Sequence, residues 1–203
     1  MRLRNIVIIA LLLLLVASSA AYIFSEQSKN LEVTLKTNGT DVQVQTSSVP
    51  FFASIPGSMK HEMEQKAIND IYEDNSTVDS VKNDMKEIAQ SYNYNITVKI
   101  DSQFGTDQLP MPATVKGTSM LPTLHEGQEL IVLKTSDLKV GDIVVARHPS
   151  YGLIVKRLAQ IKGDQVYLMS DNREVIIKDN TITKGLDTWL PKTDVVGVVK
   201  EIN

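Results

Sequence analysis

Two side chains in the C-terminal half of the sequence could do acyl-transfer chemistry together. One is the serine of Gly117-Thr118-Ser119-Met120-Leu121-Pro122-Thr123-Leu124, the other the lysine of Val155-Lys156-Arg157-Leu158. A serine hydroxyl is a weak nucleophile until a neighbouring base takes its proton, and lysine is such a base only where its neutral form is populated. Lys156 must then be desolvated. In a strand from Leu153 to Ala159, Ile154, Lys156 and Leu158 share one face and Leu153, Val155 and Arg157 the other. An apolar face disfavours the ammonium form and lowers its pKa. Arg157 cannot stand in as the base, because a guanidinium does not deprotonate in proteins. Gly117 and Pro122 flank Ser119 as loop-fixing residues, and attack by its hydroxyl would build negative charge on a carbonyl oxygen. Backbone N–H groups near Ser119 are the expected oxyanion donors. Taken singly, Ser119 reads as a turn hydroxyl and Lys156 as a solvent-facing residue of an edge strand. Their pairing favours catalysis.

The remaining composition narrows the alternatives. Cysteine is absent, which excludes disulfides, thiolate metal sites and a cysteine nucleophile, and with three histidines neither a metal nor a cofactor is expected. His125 and His148 stand in turn contexts and His61 far from the serine motif, so loop or surface roles are expected for them. The net charge of −3 is spread without a basic block, so no nucleic-acid partner is expected.

The elements that must position Ser119 and Lys156 read as strands. From Val115 onward, runs of Val, Ile and Leu alternate with the turn signals Glu126-Gly127, Val140-Gly141-Asp142, Lys162-Gly163-Asp164, Asp171-Asn172 and Lys178-Asp179-Asn180. Such spacing predicts a compact β domain whose sheets curl on themselves. Upstream, Ser102 to Pro112 reads as a linker or an extended strand leading into it. Leu31 to about Gly105 is a different unit. Leu31-Glu32-Val33-Thr34-Leu35 and Val42-Gln43-Val44 alternate around Asn38-Gly39 as a hairpin. Met59, Met63, Ala67 and Ile71 recur at helical spacing, as do Val78, Val81, Met85, Ile88 and Tyr92 after a cap at Ser76 or Thr77. Asn95 to Ile100 alternates as a strand, which completes a small α+β unit without a catalytic motif. Its methionines read as core filler.

Ile6 to Phe24 is an uninterrupted run of apolar and small residues. As a helix it would be about 28 Å long, against a hydrocarbon core of roughly 30 Å. Arg2 and Arg4 precede it, which predicts a cytoplasmic N-terminus and an extracytoplasmic remainder. The competing reading is a cleaved signal peptide, with small residues at 17–21 for cleavage. Tyr22-Ile23-Phe24 prolongs the run and favours a retained anchor. Three Asn-x-Ser/Thr triplets, at Asn38, Asn75 and Asn95, fit a glycosylated exported surface, or simply polar turns.

Taken in order, the serine motif, Gly141-Asp142-Ile143-Val144-Val145 and Val155-Lys156-Arg157-Leu158 resemble the peptidase group containing signal peptidase I and the self-cleaving LexA-type repressors. The resemblance runs over roughly Val115 to Asn172. It implies that Ser119 is the nucleophile and Lys156 the general base, with main-chain oxyanion donors at Gly117 and Ser119. Some relatives place a serine hydroxyl where Gly117 stands. Met120, Pro122, Asp171 and Asn172 are the candidate supporting residues of the site, although Asp171 and Asn172 also read as a tight turn. Signal peptidases commonly follow Gly-Asp-Asn with a serine that holds the lysine and an Asp-Ser-Arg tail. Here Ser170-Asp171-Asn172-Arg173-Glu174-Val175-Ile176 lacks both, which leaves the residue orienting Lys156 unidentified and brings this end nearer the LexA branch.

The expected architecture is therefore a mainly β catalytic domain of curled antiparallel sheets at residues 106–203, preceded by a cytoplasmic stretch at 1–5, one transmembrane helix at 6–24 and an α+β accessory module at 25–105. The expected function is a membrane-bound serine endopeptidase that cuts signal peptides or other exported proteins, with the lipid bilayer and exported precursors as partners. A LexA-like self-cleaving regulator would need a DNA-binding module, yet residues 25–112 hold no basic recognition helix and no Ala-Gly pair. A catalytically silent extracytoplasmic binding protein is the third reading, against which stand the intact Ser119 and Lys156.

Overall fold

The computed structural model describes residues 12–19, 30–48, 55–174, 176–178, 181–183 and 185–203. Most of the expected membrane span at 6–24 lies outside the described residues; within it, residues 12–19 are helical and exposed. Among the described residues no helix is long and apolar enough to cross a membrane.

The N-terminal unit is a four-stranded sheet covered by two helices. Strands β1 (Asn30–Thr37) and β2 (Val42–Ser48) form the hairpin expected around Asn38-Gly39, and their period of two buries Leu31, Val33, Leu35, Val42 and Val44 on one face. Helices α1 (Gly57–Tyr72) and α2 (Val78–Ser91) cover that face with Met59, Met63, Ala67, Ile71, Val81, Met85 and Ala89, all buried. Thr77 caps α2 in a reciprocal box with Ser80, which satisfies N–H groups that the first helical turn leaves unpaired. The helical pair is a crossover connection, so β3 (Asn95–Ser102) returns parallel to β1, and the short β4 (Gly105–Thr106) completes the order β2-β1-β3-β4.

Seven strands make the second sheet, in the order β12-β9-β8-β7-β13-β6-β5. They are β5 (Leu109–Thr114), β6 (Glu129–Lys134), β7 (Ile143–His148), β8 (Gly152–Lys162), β9 (Gln165–Met169), β12 (Thr188–Pro191) and β13 (Val195–Ile202). All neighbours pair antiparallel, with register shifts in β8 and β13 that bend the sheet. Two apolar clusters fill it. One gathers Met111, Met120, Leu124, Val132 and Val145, the other Val144, Ala146, Leu158, Leu168 and Val198. β10 (Ile176–Lys178) and β11 (Thr181–Thr183) pair as a separate hairpin. The stretch from Ser102 to Pro112 differs from a linker. It holds β4 and the start of β5, because its apolar Leu109 and Met111 are buried and its prolines sit on an edge strand, where a missing N–H is tolerated.

The two sheets touch at the β1–β2 turn, where Gly39 takes a φ of 92° that favours glycine. A Cβ there would come within 3.0 Å of the Ile131 side chain and 3.2 Å of Pro110.

Candidate active site

Residues 115–128 leave the edge strand β5 and return to β6. The Val115 N–H donates to the Gln128 carbonyl at 2.9 Å and the Gly127 N–H donates to the Val115 carbonyl at 2.9 Å, closing the base of the loop. Its apolar anchors are Met120 and Leu124, both in the cluster with Met111, Val132 and Val145. Met120 is thus a packing residue that pins the loop immediately after Ser119. Pro122 follows on the exposed side, joined to Leu121 by a cis peptide bond. Gly117 has a φ of 79° with open space around it, so glycine is favoured there by the backbone conformation rather than by crowding.

Lys156 reaches the same point from β8. Register places it opposite Val144, and Ile154 opposite Ala146, so the apolar face foreseen from the alternation of β8 does surround the lysine stem. Lys156 is 4% exposed. Its Nζ stands 2.7 Å from Ser119 Oγ and donates to the Val155 carbonyl at 3.0 Å. Burial holds its pKa below the usual lysine range, while the carboxylates of Asp187 and Asp171 pull weakly the other way. An amine so placed is matched to a hydroxyl proton.

The segment after β9 is brought to the site as well. The Asn172 N–H donates to the Ser119 carbonyl at 3.0 Å, and its side-chain amide donates to the Thr118 carbonyl at 3.0 Å. Its Oδ1 accepts from the Glu174 N–H at 2.9 Å, a local turn made by the same side chain. Asp171 receives Arg157 Nε at 2.7 Å and Nη2 at 2.5 Å, and the Thr123 hydroxyl at 2.6 Å. The Arg157 partnership holds the Asp171 carboxyl below its ordinary pKa. Arg157 also donates to the Gly141 carbonyl at 2.8 Å. One ion pair therefore ties together the serine loop, the β8 strand and the loop before β7.

Ser170 is buried, with its hydroxyl donating to the Leu186 carbonyl at 3.0 Å and its N–H to Asp187 at 3.0 Å. The position that sequence reasoning left open, the group orienting Lys156, is met here by the Val155 carbonyl. No side-chain motif signals a main-chain partner. Of the two main-chain groups expected as oxyanion donors, the Gly117 N–H donates to Glu126 Oε1 at 3.2 Å. The Ser119 N–H has no acceptor among the described residues. His125 is exposed in the loop, and His148 accepts from the Ser150 N–H at 3.1 Å beside Tyr151, both away from the Ser119–Lys156 contact. Among the described residues no three His, Asp or Glu side chains gather as a metal set.

Ser119 and Lys156 line a cleft of about 450 Å³ with Met111 to Thr114 of β5, Val155, and the exposed Tyr72, Tyr151 and Leu153.

The family model described as Peptidase S24-like matches residues 78–199, more than half of the chain. The chain belongs to that family, the signal peptidase I and LexA type of serine peptidase. It is similar to signal peptidase I of Bacillus licheniformis, with 43% identity over 65 residues that cover 30% of this chain and 35% of that protein. Signal peptidase I T of Bacillus subtilis (strain 168) is 42% identical over 65 residues, covering 30% and 34%. These matches span about a third of the curated relatives. The family match begins in α2, well upstream of the first strand of the large sheet.

Proposed function

We propose that the protein is a membrane-bound serine endopeptidase that cuts signal peptides from exported precursors, with Ser119 as nucleophile and Lys156 as general base. The observation that carries this reading is the buried Lys156 amine 2.7 Å from the Ser119 hydroxyl. Neutral Lys156 takes the hydroxyl proton as Oγ adds to the scissile carbonyl, and the Ser119 N–H donates to the oxygen that becomes negative. The resulting ammonium returns its proton to the leaving amine as the C–N bond breaks. Water then attacks the acyl-enzyme, with Lys156 again the base, and Ser119 is released. Gly117 can add a second oxyanion donor only by leaving Glu126.

Substrate class comes from the relatives named signal peptidase I and from the exported position that the apolar segment at 6–24 gives the chain. In this reading, residues 25–105 form an extracytoplasmic accessory module and 106–203 the peptidase domain. The three sequon asparagines, Asn38, Asn75 and Asn95, are exposed and open to glycosylation in a host that performs it. The test is cleavage of a panel of exported precursors by the detergent-solubilised protein, beside the Ser119→Ala variant. Precursors should be cut at their signal-peptide junctions by the wild type alone. Equal processing by Ser119→Ala would remove the assignment.

A further inference from the structure

The cleft that holds Ser119 and Lys156 has one wall from outside the seven-stranded sheet. Tyr72, the last residue of α1, lines it while remaining 56% exposed. Tyr151 and Leu153 of the β7–β8 hairpin line it too, and both are exposed. Single exposed apolar side chains are ordinary on a protein surface. Three large ones converging on one cleft beside a reactive hydroxyl form a contact surface for something apolar.

Tyr72 is also held in place by the sheet. Lys134, at the end of β6, donates to the Asp70 carbonyl at 3.3 Å, to the Glu73 carbonyl and to the Ser76 hydroxyl. Arg147 of β7 donates Nε to Asp74 Oδ2 at 2.6 Å and Nη2 to the Asp74 carbonyl at 2.7 Å. The last carbonyls of a helix lack intrahelical partners, and cations are favoured there by the helix dipole. Two cations of the large sheet thus grip the chain on both sides of Tyr72 and fix the end of α1 at the cleft.

We infer that Tyr72 is a specificity-determining residue, contacting an apolar side chain of an extended substrate peptide away from the scissile bond. The α+β unit then completes the substrate cleft. This rests on the peptidase reading above. A phenol ring offers a large apolar contact with little rotamer entropy to lose, and such a contact separates leucine from serine at one substrate position by about tenfold or more.

The test uses the full-length, detergent-solubilised protein and quenched peptides that share alanine before the cut, with leucine or serine placed at each other position in turn. The wild type should prefer leucine at one position. Tyr72→Ala should lower that leucine-to-serine ratio of kcat/KM by about tenfold, mainly through KM, and Tyr72→Phe should restore it. Arg147→Gln should lower the ratio in the same direction and add little in the Tyr72→Ala background, which a general loss of stability would not do. The same peptides, fluorescein-labelled and titrated onto Ser119→Ala with and without Tyr72→Ala, give the ratio of Kd values where no turnover occurs. Ratios alike within about twofold at every position, or no binding of either peptide, overturn the role of Tyr72. Loss of cleavage by the wild type with the binding ratio still dependent on Tyr72 would overturn the peptidase reading and leave the cleft assignment standing.

Discussion

Lys156 and Lys134 are two buried lysines of one sheet, and burial pulls both pKa values down. Lys134 is pushed to about 8, with Asp74, Asp70 and Glu73 opposing the shift. Lys156 is lowered against Asp187 and Asp171. Desolvation therefore does not distinguish them. Their partners do. Lys134 faces two carbonyls and a serine hydroxyl that itself donates to the Asp70 carbonyl, so all its work is donation. Lys156 faces a single carbonyl and the hydroxyl of Ser119, which no helix end engages. A depressed lysine becomes a candidate base only where an uncommitted proton lies within reach and a cleft admits a substrate.

The same substitution at both sites breaks this comparison most sharply. Arginine at Lys156 keeps a positive charge but cannot accept a proton and forces a cation onto an apolar face, so Lys156→Arg should lose at least about 10³-fold in kcat along with stability. Lys156→Ala should lose about as much activity, and Ser119→Ala,Lys156→Ala little more than either alone, because the two act as one unit. Arginine at Lys134 retains donors for the helix end and should keep the fold. Equal tolerance of arginine at both positions, measured by precursor cleavage and thermal melting, would remove the distinction.

Lys134→Met gives the next largest effect, on stability instead of chemistry. It removes charged hydrogen bonds to the end of α1, for a loss of about 1–3 kcal/mol by denaturant unfolding. The pH dependence has a definite sign. With a folded pKa of about 8 against an ordinary 10.5, the unfolded chain binds more protons than the folded one between those values. Wild-type stability gains from Lys134 as pH rises through that window, and Lys134→Met forfeits the gain, so its deficit should widen with pH. A deficit that narrows would assign Lys134 a raised pKa.

Sequence patterns revealed one of these lysines and not the other, for a physical reason. Lys156 follows a serine motif at a recognisable interval and sits in a strand whose alternation shows its apolar face. Lys134 ends the strand Glu129–Lys134 like any edge lysine, and its acceptors lie 58 to 64 residues earlier, on another unit. The helices were readable because Met59, Met63, Ala67 and Ile71 all face one core. The parallel return of β3 beside β1 was not, since alternation states which face is buried but not which neighbour pairs. Tyr72 is absent from the reading for the same reason as Lys134. It lies outside the buried stripe of α1, and only the fold shows what its exposed face adjoins.

Asn172 is the site residue whose double character, turn and support, can be separated by measurement. Its Oδ1 makes the local turn, while its side-chain amide and N–H hold the Thr118 and Ser119 carbonyls. Asn172→Asp keeps the turn acceptor and removes the side-chain donor. If the loop bond matters, kcat should fall by about tenfold with KM little changed, the size of one lost hydrogen bond. Unaltered kcat would reduce Asn172 to a turn residue.

The smallest effect concerns the charges around Lys156. Activity should rise with pH as Lys156 loses its proton, and because burial lowers its pKa the rise comes below the ordinary lysine range. Asp187 opposes that shift by favouring the ammonium form. It also accepts the Ser170 N–H at 3.0 Å and pairs with Arg173 at 2.6 Å. Asp187→Asn keeps an oxygen for Ser170 and removes the charge, so neutral Lys156 becomes easier to form and the rising limb of kcat/KM should move to lower pH. Lys134 would not be affected, since its opposing carboxylates are Asp74, Asp70 and Glu73. The widening stability deficit of Lys134→Met should accordingly persist in the Asp187→Asn background. A limb that stays in place, or moves to higher pH, would mean that the group titrating in catalysis is not the amine beside Ser119.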